Sequence, residues 1–187
     1  MTRNAGNLIL MIGALALLSA PAPVQAADNP FSYMLGLNDG DCLKYNGEYY
    51  FAGNRLRGGI IASRDLRSWG RRTHVFSWNN TWHTRVNDPA DRDKDIHGTQ
   101  IFYDNGTFHL YPHLFGNYPP SGIVHAVGSS MMGTYTEPVT TSPFAELIDA
   151  DLFKDENGSL YFYSTRIVSG EERICYKTAT AHWMFYG

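Results

Sequence analysis

The sequence is poor in cysteine, which excludes folds that depend on several disulfides. Cys42 and Cys175 are the only two cysteines among its 187 residues, so they cannot form a disulfide-rich framework. Both lie in segments predicted to be strands, where cysteine often serves as a small apolar side chain. We therefore favour two buried free thiols over a bridge between them.

The chain also lacks an excess of positive charge. The chain carries 15 Lys and Arg residues against 18 Asp and Glu residues, a formal net charge of −3. No basic stripe runs along it, and nucleic acid and anionic membranes are therefore not expected as partners. No segment after residue 26 is apolar enough to span a bilayer.

Residues 1–26 have the composition of a cleavable secretory signal peptide. Arg3 provides the positive start, Leu8–Leu18 is an apolar run, and Val24-Gln25-Ala26 fits the small-residue cleavage rule. Two prolines near the end of this segment disfavour the alternative of a buried N-terminal helix. We expect cleavage after Ala26 and a mature protein that is secreted or periplasmic.

An Asn-Gly turn recurs three times, at Asn46-Gly47, Asn105-Gly106 and Asn157-Gly158, with alternating apolar residues around it. Such a turn is a strong hairpin signal, because both of its central positions need positive φ. The turn returns about every 50 to 60 residues, a spacing typical of radial arrays of small sheets. The pattern predicts an all-β fold, a β-propeller in which the first strand of every blade lines a central axis.

Three blades are predicted, near residues 38–70, 95–136 and 148–178, and the polar stretch Arg71–Lys94 is predicted to be a long loop. Propellers usually close with about four to eight blades, so three blades form an open array. We interpret the chain as the truncated, N-terminal portion of a longer propeller and expect a monomer. A small domain that closes by forming oligomers is the alternative. The predicted strands are Cys42–Lys44, Tyr49–Ala52, Ile60–Ser63, Gln100–Tyr103, Thr107–Pro112, Ile123–Ser129, Asp151–Lys154, Leu160–Ser164 and Arg173–Lys177.

Carboxylates stand at the start of the first strand in two of the three units. Asp39 and Asp41 lead into the first unit, and Asp149 and Asp151 occupy nearly the same place in the third. First strands meet at the axis of a propeller, so we expect these carboxylates to face one another across a funnel. Hydrolysis of a glycosidic bond needs two such groups, one to activate water and one to protonate the departing oxygen. The plainer alternative is that each Asp caps a turn.

Four segments, in this order, resemble elements of glycoside hydrolase family 43. In the first segment an Asp is followed by an apolar strand, a turn and a Tyr-Tyr pair. The second segment is similar to the Ser-x-Asp-Leu-x-x-Trp element of the family. The third is similar to a second-blade strand and turn of the family. The fourth is similar to its Ile-Asp-Pro-x-Leu-Phe-x-Asp-x-x-Gly segment. The segments are residues 38–50, 62–69, 98–111 and 148–161.

The resemblance implies a five-bladed propeller that hydrolyses arabinose- or xylose-containing polymers with inversion. It also implies that Asp39 is the general base and that Asp149 modulates the pKa of the general acid. In the family that acid is a Glu in a Glu-Gly-Pro context, which this chain does not contain. Glu171 and Glu172 come too early and lack that context. We therefore expect this portion of the hydrolase to be inactive alone.

The chain departs from the family pattern at three positions within these segments. Gly40 and Ala150 stand where proline is usual, and Gln100 stands where many relatives have an acid. Gln100, His97 and Trp69 are the candidates for contact with substrate. No cofactor is implied apart from a structural calcium ion in the channel, for which the sequence shows no legible ligand set.

Other side chains are weaker candidates for a function. Trp78 and Trp82 lie in the long loop and are candidates for stacking on sugar rings, with core packing as the alternative. His109 and His113 have ligand-like spacing. Four residues apart on a strand they are far from each other for one metal ion, so we predict no metal site.

Three further interpretations stay open at this point. The Asn38–Asp41 stretch, followed by Leu-x-Tyr, also resembles the fructan-cleaving family 32, which shares the fold, but the Arg-Asp-Pro element of that family is missing. A carbohydrate-binding propeller without catalysis is the second. The third is an exported β-protein with no role in sugar chemistry.

Overall fold

The computed structural model describes residues 39–83, 95–115, 122–145 and 148–179. Within these ranges the secondary structure is β-strand, with no α-helix, as the alternating pattern predicted. The predicted signal peptide lies outside the described residues. In the described ranges no helix is both long and apolar enough to cross a membrane. The strands are β1 (Gly40–Tyr45), β2 (Glu48–Gly53), β3 (Gly59–Ser63), β4 (Thr73–His74), β5 (Ile96–Asp104), β6 (Thr107–Leu114), β7 (Gly122–Ile123), β8 (Ala126–Gly128), β9 (Ile148–Lys154), β10 (Leu160–Val168) and β11 (Glu171–Ala179).

The repeated turns form the hairpins that the sequence predicted, although the third differs in detail. At Asn46-Gly47 and Asn105-Gly106 both residues have positive φ, between 47° and 85°, as a two-residue hairpin turn requires. In the third turn only Gly158 has positive φ. There the Asp155 carboxylate accepts hydrogen bonds from the backbone N–H groups of Asn157 and Ser159, at 3.0 and 2.8 Å. A side chain therefore organises this longer loop.

The strands form three successive antiparallel units, the first two of which join into one sheet. β1 to β4 pair in chain order, β6 pairs with β5, β7 and β8, and β9 to β11 form a separate sheet. The first two units meet through a parallel contact between β1 and β5 at Gly40 and Thr99. The first strand of each unit, β1, β5 or β9, thus lies next to the neighbouring unit, as the blades of a propeller require.

Two predictions about the strands need correction. The segment Ile123–Ser129 is not one strand, because it is interrupted at Val124-His125 between β7 and β8. Pro112 of β6 lies opposite the interruption and has no N–H to donate to it. The predicted loop after the first unit contains the short strand β4, which pairs with β3, and residues 84–94 of it lie outside the described residues.

The apolar side chains form two main cores, one for the first two units and one between the second and third. In the first core Trp78 is only 1% exposed, so core packing, not sugar stacking, is its role. Trp82 is half-buried against the same core. The second core consists of Tyr111, Ile123, Leu152, Leu160 and Phe162.

The cysteines are free, as predicted, but the predicted burial was wrong for Cys42. Cys42 is exposed and Cys175 is half-buried. Side chains alternate across a strand, and in β1 it is Leu43 and Tyr45 that pack against the core. Cys42 therefore lies on the opposite face, which the spacing of apolar residues alone does not reveal.

Candidate active site

The N-terminal ends of β1, β5 and β9 surround an open depression of about 550 Å³. This is the arrangement expected for the axis of a propeller, and it brings together residues more than a hundred positions apart in the chain. Three consecutive residues at or next to each of these strands line the depression. The depression is lined by Asp39, Gly40, Asp41, Gly98, Thr99, Gln100, Asp149, Ala150 and Asp151.

The rim of the depression carries two exposed carboxylates, and both residues lie next to Gly98. Asp39 and Asp149 both have positive φ, 47° and 53°, and both are exposed. A Cβ atom on Gly98 would lie 3.6 Å from Asp149 Oδ1 and 4.0 Å from the backbone oxygen of Asp39. The missing side chain of Gly98 therefore leaves open space beside both residues.

The Asp39 carboxylate is held by a residue that the sequence analysis missed. Asn54 Nδ2 donates a hydrogen bond to Asp39 Oδ2 at 2.7 Å, and Asn54 Oδ1 accepts one from the backbone N–H of Gly98 at 2.8 Å. Asn54 follows β2 and lies 15 residues from Asp39. No motif surrounds it, so no signal in the sequence pointed to this contact.

The Asp149 carboxyl lies in an environment that disfavours its charged form. Partial burial raises its pKa, and the negative charges of Asp39 and then Glu172 raise it further. Glu172, set aside in the sequence analysis, is thus within electrostatic reach of Asp149, although it is exposed on β11. The negative charge of Asp39 therefore affects the pKa of Asp149.

This electrostatic cost leads to a prediction about stability. Asp149→Asn is expected to raise the melting temperature modestly near neutral pH, because it removes a carboxylate whose pKa is raised by burial and by its neighbours. Asparagine tolerates the positive φ at this position. The increase in melting temperature should fade as the pH falls through the pKa of the Asp149 carboxyl, because that group then becomes neutral in the unmodified protein. Thermal unfolding of both forms between pH 7 and pH 3 tests this, and a lower melting temperature for the variant at pH 7 would contradict it.

The side chain of Asp41 ties the first unit to the second. Its Oδ2 accepts a hydrogen bond from the backbone N–H of Ile101 at 3.1 Å, and its Oδ1 accepts one from that of Cys42 at 2.7 Å. Burial raises the Asp41 pKa most, the two backbone hydrogen bonds lower it, and the charge of Asp151 adds a further rise. Asp41 therefore joins two units of the fold, a structural role that differs from the turn capping considered in the sequence analysis.

Gln100 ties the second unit to the third. Its Nε2 donates to Asp151 Oδ1 at 2.6 Å and to the backbone oxygen of Leu152 at 3.2 Å. The side chain is 5% exposed. A carboxylate here could not donate to Asp151, so the amide at this position has a direct physical reason.

The structure does not bring the other two substrate-contact candidates into the lining of the depression. His97 is half-buried on β5, with its ring centroid 5.4 Å from that of Phe115. Trp69 packs edge-on against Phe51, with centroids 6.4 Å apart, in a small core that includes Leu56. Trp69 therefore has a packing role in the first unit.

Histidine does not assemble a metal site in the described part of the chain. His109 Nδ1 lies 2.9 Å from His125 Nε2, whereas His113 has a different set of neighbours, His83 and His97. Among the described residues, no group of three or more His, Cys, Asp or Glu side chains is placed to hold a metal ion. Within the described part of the chain, His109 and His113 thus do not belong to one ligand set.

Gly40 stands where the sequence resemblance leads one to expect proline, and the packing explains the substitution. A Cβ at Gly40 would lie 2.3 Å from the backbone oxygen of Ala52 and 2.5 Å from Phe51 Cζ. Any larger residue would collide with the neighbouring strand β2. The close approach of β1 and β2 at this point brings their ends, and hence Asp39 and Asn54, together.

Comparison with solved structures gives the same fold. An endo-1,4-beta-xylanase from Bacteroides thetaiotaomicron is 22% identical and superimposes with a TM-score of 0.61, over 80% of this chain and 49% of its own. An endo-arabinase from the same organism is 16% identical, with a TM-score of 0.64 over 83% and 54%. An alpha-L-arabinanase from Cellvibrio cellulosa, solved with arabinohexaose, is 19% identical, with a TM-score of 0.50 over 69% and 44%.

These likenesses confirm the all-β propeller fold, and the chain spans about half the length of the structures it matches. No match was found among curated protein sequences. The family model described as Glycosyl hydrolases family 43 matches residues 27–186, which confirms the resemblance drawn from the four motifs and sets family 32 aside. The chain belongs to glycosyl hydrolase family 43.

Proposed function

We propose that the protein containing this chain hydrolyses arabinose- or xylose-containing polysaccharides or oligosaccharides with inversion at the anomeric carbon. The observation that carries the proposal is that two exposed carboxylates, those of Asp39 and Asp149, line the same depression next to Gly98. The named activities of two structural neighbours, a xylanase and an arabinase, support the substrate class.

In this proposal Asp39 is the general base. Its exposed carboxylate accepts a proton from a water molecule, which attacks the anomeric carbon on the face opposite the leaving group. Asp149 keeps the general acid protonated, because a nearby negative charge raises the pKa of a carboxylic acid. Inversion requires about 6.5–9.5 Å between acid and base, so that a water molecule fits between the base and the sugar.

The general acid is proposed to come from a part of the protein outside this chain. No Glu-Gly-Pro segment occurs in the sequence, and this chain spans about half the length of the matched structures. Without the acid, the leaving oxygen departs unprotonated and a factor of about 10² to 10⁴ in rate is lost. The activity is therefore assigned to the intact protein.

We also propose that the protein is exported and acts as a monomer. Export is supported by the composition of residues 1–26, which lie outside the described residues. A monomer is supported by the fold type, since a propeller that closes within one chain protects its own sheet edges.

The stereochemistry of the product tests the proposal. Incubation of the intact protein with arabinan, arabino-oligosaccharides, xylan and xylo-oligosaccharides, followed by proton NMR, is expected to show first the anomer opposite to that of the bond cleaved. Mutarotation then equilibrates the anomers, so spectra in the first minutes are decisive. Initial release of the retained anomer would contradict the inverting mechanism.

A non-catalytic carbohydrate-binding propeller is the second candidate. It is supported by the open depression with its exposed carboxylates, which can bind a sugar without cleaving it. Under this alternative the same sugars raise the melting temperature by mass action, but no product appears in the NMR spectra. A sugar that neither shifts the melting temperature nor is cleaved would leave both candidates without support.

A further inference from the structure

The backbone of the first blade places two polar side chains opposite each other at the rim of the depression. β1 and β2 pair antiparallel, with Gly40 opposite Gly53 at their ends. Asp39 and Asn54 are the residues just outside this pair, so they face each other. Both glycines permit the close approach, since a Cβ at Gly53 would lie 3.0 Å from the Cα of Gly40.

The amide of Asn54 has its orientation determined by its second partner. An amide group has one donor end and one acceptor end. The backbone N–H of Gly98 can only donate, so Asn54 Oδ1 must point toward it, and the bond is 2.8 Å long. The NH₂ group is consequently directed at Asp39 Oδ2, 2.7 Å away.

The same contacts leave one oxygen of Asp39 available. Among the residues that the structure describes, Asp39 accepts a side-chain hydrogen bond through Oδ2, and none is formed by Oδ1. Asp39 is exposed whereas Asn54 is half-buried, so an exposed carboxylate is bound to a more buried group. The anchor, Gly98, belongs to the second blade and borders Asp149 Oδ1.

We propose that Asn54 is the positioning residue for the general base: it holds Asp39 Oδ2 by its amide and leaves Oδ1 to accept the proton of the attacking water. The tether to Gly98 sets the carboxylate relative to the second blade and to the side of the site where Asp149 lies. This inference rests on the proposed function, in which Asp39 is the base. Asn54 itself takes no proton and acts through orientation alone.

Two substitutions separate the two hydrogen bonds of the amide. Asn54→Ala removes both bonds. Asn54→Asp keeps an oxygen that accepts from the Gly98 N–H but replaces the donor to Asp39 by a second carboxylate oxygen. Asn79→Ala, at an exposed position away from the depression, is the matched control for the loss of an asparagine side chain.

The variants are to be compared in the intact protein, by kcat, KM and melting temperature on whichever arabinan or xylan oligosaccharide it cleaves. Asn54→Ala and Asn54→Asp are each expected to lower kcat by about 10- to 100-fold. The KM should change by less than about threefold, because substrate binding is not removed. Asn79→Ala should behave as the unmodified protein.

The outcomes distinguish the inference from the function on which it rests. An Asn54→Asp variant that folds and keeps kcat within about twofold of the unmodified protein would overturn the positioning role. If Asn54→Ala does not fold, Asn54→Asp alone decides, since it retains the bond to Gly98. If Asp39→Asn also keeps full activity, the assignment of the base fails; if Asp39→Asn is inactive while both Asn54 variants are active, only the role of Asn54 fails.

Discussion

Replacement of Asp39 by asparagine is expected to lower kcat of the intact protein by about 10²- to 10⁴-fold, the usual contribution of a general base. The substitution is nearly isosteric. Asparagine tolerates the positive φ of this position, and its Oδ1 is able to accept the hydrogen bond that Asn54 donates to Asp39. Folding should therefore be preserved, and the loss should come from the missing proton acceptor.

The measurement is a steady-state assay on the cleaved oligosaccharide, with thermal unfolding of the same samples. Asp155→Asn is a matched control, because Asp155 lies in the turn between β9 and β10, and an amide oxygen there still accepts from Asn157 and Ser159. The control should keep both activity and melting temperature. An Asp39→Asn variant with a kcat near that of the unmodified protein would refute the assignment of the base.

The second large effect concerns acid stability and arises from buried histidines of the second unit. His109 is 0% exposed and His125 is 6% exposed. His109 Nδ1 lies 2.9 Å from His125 Nε2, and the two rings are stacked with their centroids 5.2 Å apart. Burial lowers the pKa of both, that of His125 to about 3. Burial also lowers the pKa of His113 to about 4, helped by the neighbouring His97 and His83.

These shifts make the folded protein lose stability as pH falls below about 6.5, the ordinary histidine pKa. Below that pH the unfolded chain binds protons at these histidines while the folded chain does not. Each such histidine then lowers the unfolding free energy further as the pH falls, until its folded pKa is reached. For His113 and His125 the loss extends from about pH 6.5 down to about 4 and 3.

Urea unfolding between pH 7.5 and pH 4.5 measures this dependence. The unmodified protein should become progressively less stable below pH 6.5, and His125→Gln should show a shallower slope even if it is less stable at pH 7.5. The same substitution at exposed His74 is the matched control for the chemical change. Equal slopes for the unmodified protein and His125→Gln would show that His125 does not carry the effect.

Much of the fold was predictable because its signals are local. The Asn-Gly turns and the alternating apolar residues act over fewer than ten residues, so they identified the hairpins, and their repetition identified the blade. The strand break at Val124-His125 was not predicted, because the residue opposite it, Pro112, lies in the partner strand. The exposure of Cys42 was mispredicted for a related reason, since it depends on which face of β1 meets the core.

The sequence by itself determined the all-β fold, its repeat, the family and the equivalent places of Asp39 and Asp149 at the start of two first strands. Only the tertiary structure decided which groups surround them. Asn54 reaches Asp39 across the end of a strand pair and Gly98 across 44 residues. Gln100 likewise reaches Asp151 across 51 residues. Hydrogen bonds of this kind depend on how blades pack against one another, and no local pattern of residues records that packing.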